Sequence, residues 1–246
     1  MKISVIIPCL NEEKFLPNLL ADLRKQSLIP SEILVIDAGS KDKTLDLIKE
    51  DNLVKVIHTK PNIGMQRTTG GEKASGDMLF FFDSDVRMNK DFIKNAITEI
   101  QNKNLDLATY RYIPYNLSEN NQIQDSSKSI RFLYKFFNTL FFLFKKVSPS
   151  GAGSGIFTTK ENFLKLNGFS ENLKFDDIDF IRRGARVGKF DILNMDLLVS
   201  DRRFVRYGVF KTFLSYLVLS VFFLFNAFKY AEIVEYKFSD YKKDIK

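Results

Sequence analysis

Four short apolar runs, at residues 3–7, 33–36, 54–57 and 79–82, constrain this chain more than any other feature. A strand covered on both faces reads as a near-continuous Val/Ile/Leu/Phe run, whereas a strand with one wet face alternates. Between the runs lie helical patterns. Phe15, Leu16, Leu19, Leu20 and Leu23 form one apolar stripe, Leu45, Leu47 and Ile48 mark a second helix, and residues 65–74 a third. Strands alternating with helices predict an α/β fold on an open, mainly parallel sheet with right-handed crossovers.

In such sheets ligands bind outside the carboxyl ends of the strands, so the turns after Ile7, Ile36 and Phe82 are the ones that matter. Downstream, Phe92, Ile93, Ala96, Ile97 and Ile100 predict another amphipathic helix, and residues 105–113 a returning strand. Residues 115–128 read as a polar surface insertion, 150–155 as a flexible loop, 161–166 as a short helix and 180–187 as a helical stretch. The first run is followed by Pro8, Asn11, Glu12 and Glu13 without a small-residue cleavage site, which reads as a strand rather than a signal peptide.

A chain of 246 residues can bury a substantial core without disulfides or structural metal. A single cysteine, Cys9, and a single histidine, His58, argue against Cys/His metal chemistry, so a metal would fall to carboxylates. Asp83-Ser84-Asp85 emerges directly from the fourth run. Two acids at the ligand edge suit a hard cation, Mg2+ or Mn2+, that also takes phosphate oxygens, and they equally suit a capping turn. Asp37-Ala38-Gly39-Ser40 precedes a helix start where backbone N–H groups favour a polar or anionic ligand, or forms an ordinary turn. Arg67 offers a planar cationic fork to a phosphate or a carboxylate. In Asp176-Asp177-Ile178-Asp179 the crowded charges raise one another's proton affinity. That suits one of them to general-base work, or the group forms an acidic helix N-terminus.

In this order, these elements resemble the family-2 glycosyltransferases, whose nucleotide-sugar-binding fold is known as GT-A. Val5-Ile6-Ile7-Pro8-Cys9-Leu10-Asn11-Glu12-Glu13 is similar to that family's first strand and base-binding turn, and residues 33–44 to its Asp-Asp/Gly-Gly-Ser-x-Asp-x-Thr segment. Residues 62–76 resemble its Asn-x-Gly...Arg...Gly...Ala-x-Gly segment, Asp83-Ser84-Asp85 its metal motif, and residues 154–179 its acceptor-side run, with Asp176 in the usual Glu position. The likeness covers residues 1–188. Ala38 stands where many members carry a second Asp that helps contact the base, which leaves the base open. The resemblance implies that Pro8, Asn11, Glu12, Asp37, Gly39 and Arg67 line the donor site, Glu12 and Asp37 nearest the base or ribose and Arg67 nearer the phosphates. It implies Asp83 and Asp85 as holders of Mn2+ or Mg2+, Asp177 as the base with Asp176 beside it, and Asp179 and Arg203 as further substrate-binding residues. Arg203 belongs to Asp201-Arg202-Arg203-Phe204, which is similar to a Ser-x-Arg-Arg-aromatic element of some members.

A net charge of +7 suits anionic partners such as nucleotides, phosphorylated lipids or an acidic membrane surface. Nucleic acid is not expected, because no basic face interleaved with aromatics sits on a recognisable module. The 25 phenylalanines, beside no tryptophan, concentrate at residues 132–144 and 204–228. Residues 130–144 place Arg131, Lys135 and Asn138 on one stripe and apolar side chains on most of the rest, as in a helix at a membrane interface or against another helix. Residues 212–228 carry no charge over 17 positions, about 26 Å of helix against a hydrocarbon core of roughly 30 Å. Arg202, Arg203, Arg206, Lys211 and Lys229 are placed to meet anionic headgroups.

The expected organisation is a GT-A-like domain over residues 1–205, with 1–113 binding the donor and 114–205 facing the acceptor, followed by an apolar helical segment at 206–246, membrane-associated or packing. The expected activity is metal-dependent, inverting transfer from a nucleotide-diphosphate sugar to a glycan or lipid-linked acceptor. It is placed in the cytoplasm, peripheral or monotopic at the inner face of the cell membrane, with a homodimer as a further option. The alternatives are a polyprenyl-phosphate glycosyltransferase and a catalytically silent membrane- or partner-binding scaffold.

Overall fold

The computed structural model describes residues 1–48, 51–118, 120 and 122–224. Its first half runs β1 (Ile3–Cys9), α1 (Leu16–Arg24), β2 (Glu32–Asp37), β3 (Val54–His58), α2 (Ile63–Lys73), β4 (Met78–Phe82), β5 (Val86–Arg87) and α3 (Phe92–Lys103). The second half runs β6 (Leu107–Leu117), β7 (Ile123–Asp125), α4 (Lys128–Phe144), β8 (Gly155–Thr159), α5 (Lys160–Lys165), α6 (Asp176–Val187), β9 (Phe190–Ser200), α7 (Arg202–Tyr207) and α8 (Val209–Leu224).

The sheet order is β3-β2-β1-β4-β8-β6-β9-β5, with β7 paired to β6. The expected parallel sheet is the β3-β2-β1-β4 half. Beyond it the sheet is mixed: β8 lies antiparallel between β4 and β6, β9 runs parallel to β6, and β5 closes the edge antiparallel to β9.

The two-residue strand period sorts the apolar runs into two cores. Val5, Ile7, Cys9, Ile33, Val35, Phe80 and Phe82 face α1 and α3. Ile6, Leu34, Ile36, Leu79 and Phe81 face α5 and α6. Every residue of β1, β2 and β4 is buried, which explains why the runs show no polar alternation. Phe81 stacks on Phe163 and meets Phe169 edge-on, so Phe81→Ala would cost about 3–5 kcal/mol. On the helices, Leu16, Leu19, Leu20 and Leu23 of α1 are buried as the stripe predicts. Asn62 caps α2 by accepting the Met65 N–H at 2.9 Å. Ile130, Leu133 and Phe204 nucleate a smaller apolar cluster, against which Val209, Phe213 and Tyr216 of α8 pack.

Four local expectations are corrected. Leu45, Leu47 and Ile48 lie in a turn, not a helix, because Asp42 takes both the Thr44 N–H and its hydroxyl and diverts the backbone locally. Residues 115–128 are no plain insertion, since β6 continues to Leu117 and pairs back with β7. The loop at 150–155 is packed, with Gly151, Gly153 and Gly155 all buried. Asn138 leaves the polar stripe of α4 and turns to the sheet, where it donates to Tyr112 O at 2.8 Å and accepts from Tyr112 N at 3.1 Å. Residues 225–228 of the uncharged stretch, and Lys229, lie outside the described residues.

Candidate active site

The carboxyl ends of β1 and β4 and the starts of α6 and α7 converge on a cavity of about 320 Å3. Ser84 joins the two strand ends by donating its hydroxyl to Pro8 O at 2.9 Å, which leaves Asp83 and Asp85 on the cavity wall. Arg67 reaches in from α2. Its Nη1 donates to Asp176 Oδ2 at 2.8 Å and its Nη2 to Asp83 Oδ1 at 2.9 Å. Burial alone would loosen the Arg67 proton, but Asp176, Asp83 and Asp177 outweigh it and hold the group charged.

Asp176 and Asp177 open α6, where the helix N-terminus favours negative charge. Their surroundings differ. Asp176 is buried and committed to Arg67; burial pushes its carboxyl up to about 6 against that pairing. Asp177 is partly open to the cavity and accepts the Gly153 N–H at 2.7 Å and its neighbour's N–H, from Ile178, at 2.8 Å. Burial raises the Asp177 pKa as well, with Arg67 and these two N–H groups opposing. Only glycine fits at 153, since a Cβ there would stand 2.4 Å from Arg67 Nη2 and 2.9 Å from Asp177 Oδ2.

On the opposite wall Arg202 clasps Glu12 and contacts Asp85. Burial pushes Glu12 up to about 7 and raises Asp85, in both cases against the Arg202 charge. The Arg202 guanidinium also lies 4.7 Å from the Phe15 ring centroid. Arg203 Nη1 donates to the Tyr216 hydroxyl at 3.2 Å, which ties α7 to α8.

Among the described residues no three His, Cys, Asp or Glu side chains converge as a ready-made metal cage. The donor set nonetheless fits a hard divalent cation. Five carboxylates (Glu12, Asp83, Asp85, Asp176 and Asp177) face three guanidiniums (Arg67, Arg202 and Arg203) around this cavity, an excess of negative charge that raises proton affinities there. Mg2+-like ions need only one or two protein carboxylates when phosphate and water complete the shell.

Of the residues singled out in the sequence, Pro8, Glu12, Arg67, Asp83, Asp85, Asp176, Asp177 and Arg203 meet at this cavity. Asn11, Asp37 and Gly39 do not line it. The Asp37 carboxylate accepts from Gly39 N, Ser40 N and the Ser40 hydroxyl, and Ser40 Oγ accepts the Asn11 N–H. Together these bonds shape the turn pair beside the cavity. Gly39 is there because its φ is +88°. Asp179 turns away to Arg183, 2.7 Å distant, in a separate cleft with Phe169 and Ser170. Arg202 and Arg203, read as headgroup contacts, are corrected: the turn from β9 into α7 swings both into the cavity. The place of Arg202 at the acids, Gly153 and the α4 and α8 walls escaped the sequence reading. The available signals were the Asp201-Arg202-Arg203-Phe204 element and the surplus of acids, which demanded more cations than Arg67 alone.

The sequence model of the family described as Glycosyl transferase family 2 matches residues 4–163. A dolichyl N-acetyl-alpha-D-glucosaminyl phosphate 3-beta-D-2,3-diacetamido-2,3-dideoxy-beta-D-glucuronosyltransferase of Methanococcus voltae is 30% identical over 174 residues, 66% of this chain and 49% of that protein. The chain spans about half or less of the length of the curated relatives it matches. Among solved structures, Staphylococcus aureus TarS 1–349 in complex with UDP-GlcNAc superposes with a TM-score of 0.64 at 22% identity, over 82% of this chain and 59% of that one. The mannosyltransferase PcManGT from Pyrobaculum calidifontis, in complex with GDP-Man and Mn2+, superposes with a TM-score of 0.68 at 17% identity, over 89% of this chain and 62% of that one. Identities this low carry the fold alone.

Proposed function

Since the chain belongs to glycosyl transferase family 2, we propose that it moves a sugar from a nucleotide-diphosphate sugar to a glycan or lipid-linked acceptor, with inversion at the anomeric carbon. One observation carries this reading: a partly open carboxylate, Asp177, shares a cavity with the Asp83/Asp85 pair and three guanidiniums. In the reaction the acceptor oxygen bonds to the anomeric carbon as the bond to the nucleotide's phosphate oxygen breaks. The acceptor proton passes to Asp177, and the diphosphate leaves with the electron pair. Asp176 is the poorer base because Arg67 already engages it. Arg202 and Arg203 offer charge to the diphosphate. Asp83 and Asp85 would hold Mn2+ or Mg2+, which supplies Lewis-acid stabilisation of the leaving group. The Mn2+ bound with GDP-Man in PcManGT supports that choice of group.

In this reading Pro8 and Glu12 lie toward the nucleoside, with Asn11, Asp37 and Gly39 shaping the turn behind them and Asp179 acting through Arg183. Residues 1–113 serve the donor and 114–205 the acceptor, joined at the cavity by α8. The enzyme works at the inner face of the cell membrane. Exposed Phe132, Phe142, Leu143 and Phe210 support that placement, beside the exposed lysines at 146 and 211. Among the described residues no helix is long and apolar enough to cross a membrane.

The test is a panel of nucleotide sugars incubated with purified protein and Mn2+, read by slow donor hydrolysis and by thermal stabilisation. Binding and hydrolysis of at least one donor, lost in Asp85→Ala, is the expected result. A protein indifferent to every donor is a scaffold instead.

A further inference from the structure

The cavity lining is of two chemical kinds. One carries the acids and guanidiniums. The other is built from α4 and α8, through Phe137, Phe141, Tyr216 and Leu219, and continues onto Ile178 beside Asp177. Tyr216 and Leu219 line the same cavity as Asp177 and Asp85, so α8 bounds the acidic centre itself.

Apart from the Tyr134 hydroxyl, the polar atoms on this second wall are already matched within the chain. Asn138 exchanges hydrogen bonds with the Tyr112 backbone. The Tyr112 hydroxyl donates to Ala152 O at 2.8 Å and accepts from Ala152 N at 3.1 Å. Ser220 donates to Tyr216 O, and Tyr216 receives Arg203. What remains for a ligand is mostly hydrocarbon. A sugar seated there would lose water from its hydroxyls without regaining partners, at a cost of the order of a hydrogen bond for each. A hydrocarbon chain has no hydrogen bonds to lose and would gain up to about fourfold in affinity per buried methylene.

We infer that this wall is an acceptor subsite for an aliphatic chain, so that the acceptor is an amphiphile with its nucleophilic head at Asp177 and the adjoining part of its tail between α4 and α8. The inference rests on the glycosyl-transfer reading and narrows its acceptor from glycan or lipid-linked to lipid-linked. Continuity decides the occupant: the apolar wall and the catalytic acids bound one cavity, so the tail and the reacting head belong to one molecule.

The experiment uses n-alkyl β-glucosides from butyl to decyl, each below its micelle-forming concentration, titrated calorimetrically into the full chain. In the wild type, affinity should rise two- to fourfold per added methylene. That slope should flatten in Phe141→Ser and in Leu219→Ser, and persist in Phe132→Ser, whose side chain lies on the outer face of α4. Phe141 is partly exposed, so its variant stays informative even if the buried Leu219 change unfolds the helix. A flat wild-type series overturns the inference, as does a slope that survives in Phe141→Ser or vanishes in Phe132→Ser. Donor binding measured on the same proteins keeps the two readings apart. Failure of the chain-length series with donor binding intact removes the subsite alone, whereas no donor binding in the wild type removes glycosyl transfer.

Discussion

Arg202 Nε lies 2.8 Å from Asp85 Oδ2, and the same guanidinium holds both oxygens of Glu12, at 2.8 and 2.9 Å. A cation of the chain itself thus stands on an acid assigned to the metal. Its side chain is 44% exposed, so each of these pairs is worth at most about 1 kcal/mol and can exchange. Arg67 differs. With only 5% of its side chain exposed between Asp176 and Asp83, losing one partner would leave a buried charge uncompensated, at about 3–5 kcal/mol. Arg67 is therefore part of the scaffold of the site, and Arg202 its displaceable member.

Arg202→Met should tighten Mn2+ binding about fivefold, the equivalent of one exposed ion pair relinquished. Electron paramagnetic resonance of free Mn2+ measures this directly. Weaker binding in the variant would show that Arg202 positions Asp85 rather than competing for it.

The two neighbouring acids of α6 should separate cleanly. Asp177→Asn is expected to lower kcat at least about a hundredfold while leaving donor affinity and Tm near wild type. Asp176→Asn removes a partner of buried Arg67 and should lower Tm on the order of 10 °C. If Asp176→Asn alone abolishes turnover at unchanged Tm, the assignment of the base is reversed.

A pH profile gives an independent reading. A base must be ionised to work, and burial raises the Asp177 pKa above that of a free carboxyl. Activity should therefore fall as pH drops through a value higher than about 4, the ordinary Asp range, and be fully present above it. An acid limb at or below that range contradicts a buried base.

Two glycines make a matched comparison. Gly153→Ala should cost activity, on the order of a hundredfold, because its methyl displaces Arg67 and Asp177 together. Gly39→Ala meets open space but keeps a φ of +88°, so it should cost about 1 kcal/mol of stability and little activity. Steady-state kinetics beside thermal melts distinguish the two outcomes.

The outer face of α4 should bind anionic vesicles. Phe142→Ser combined with Leu143→Ser removes two exposed apolar side chains and should reduce co-sedimentation markedly, while high salt reduces it only in part. A wild-type chain that stays in the supernatant with anionic vesicles at low salt rules out the membrane surface as its place of work.

Much of the donor half was legible in the sequence because it is built from local patterns. The runs of β1, β2 and β4 announce strands covered on both faces, and Asp83 and Asp85 follow β4 within three residues, so the ligand edge could be read without any distant contact. The clustering of Asp176 with Asp177 was equally visible. Three polar candidates lie outside the cavity wall. Asp37, Asn11 and Asp179 were plausible ligands by type, yet each spends its polar atoms on a neighbouring turn or helix bond. The Asp37 and Asp179 bonds are local, whereas the Asn11 bond to Lys41 depends on where the chain folds back.

The sequence by itself determined the α/β layering and the acids at the sheet edge, since each follows from residue spacing over a few positions and from the two-residue strand period, while the family was legible through the resemblance of its motifs. Only the tertiary structure decided which of two adjacent aspartates stays open, that Arg202 meets Asp85 across 117 positions, and that two Phe-rich helices wall the cavity. The physical reason is that charge pairing and apolar burial act through space at a few ångströms. Partners brought together by strand order and crossover leave no periodic trace along the chain.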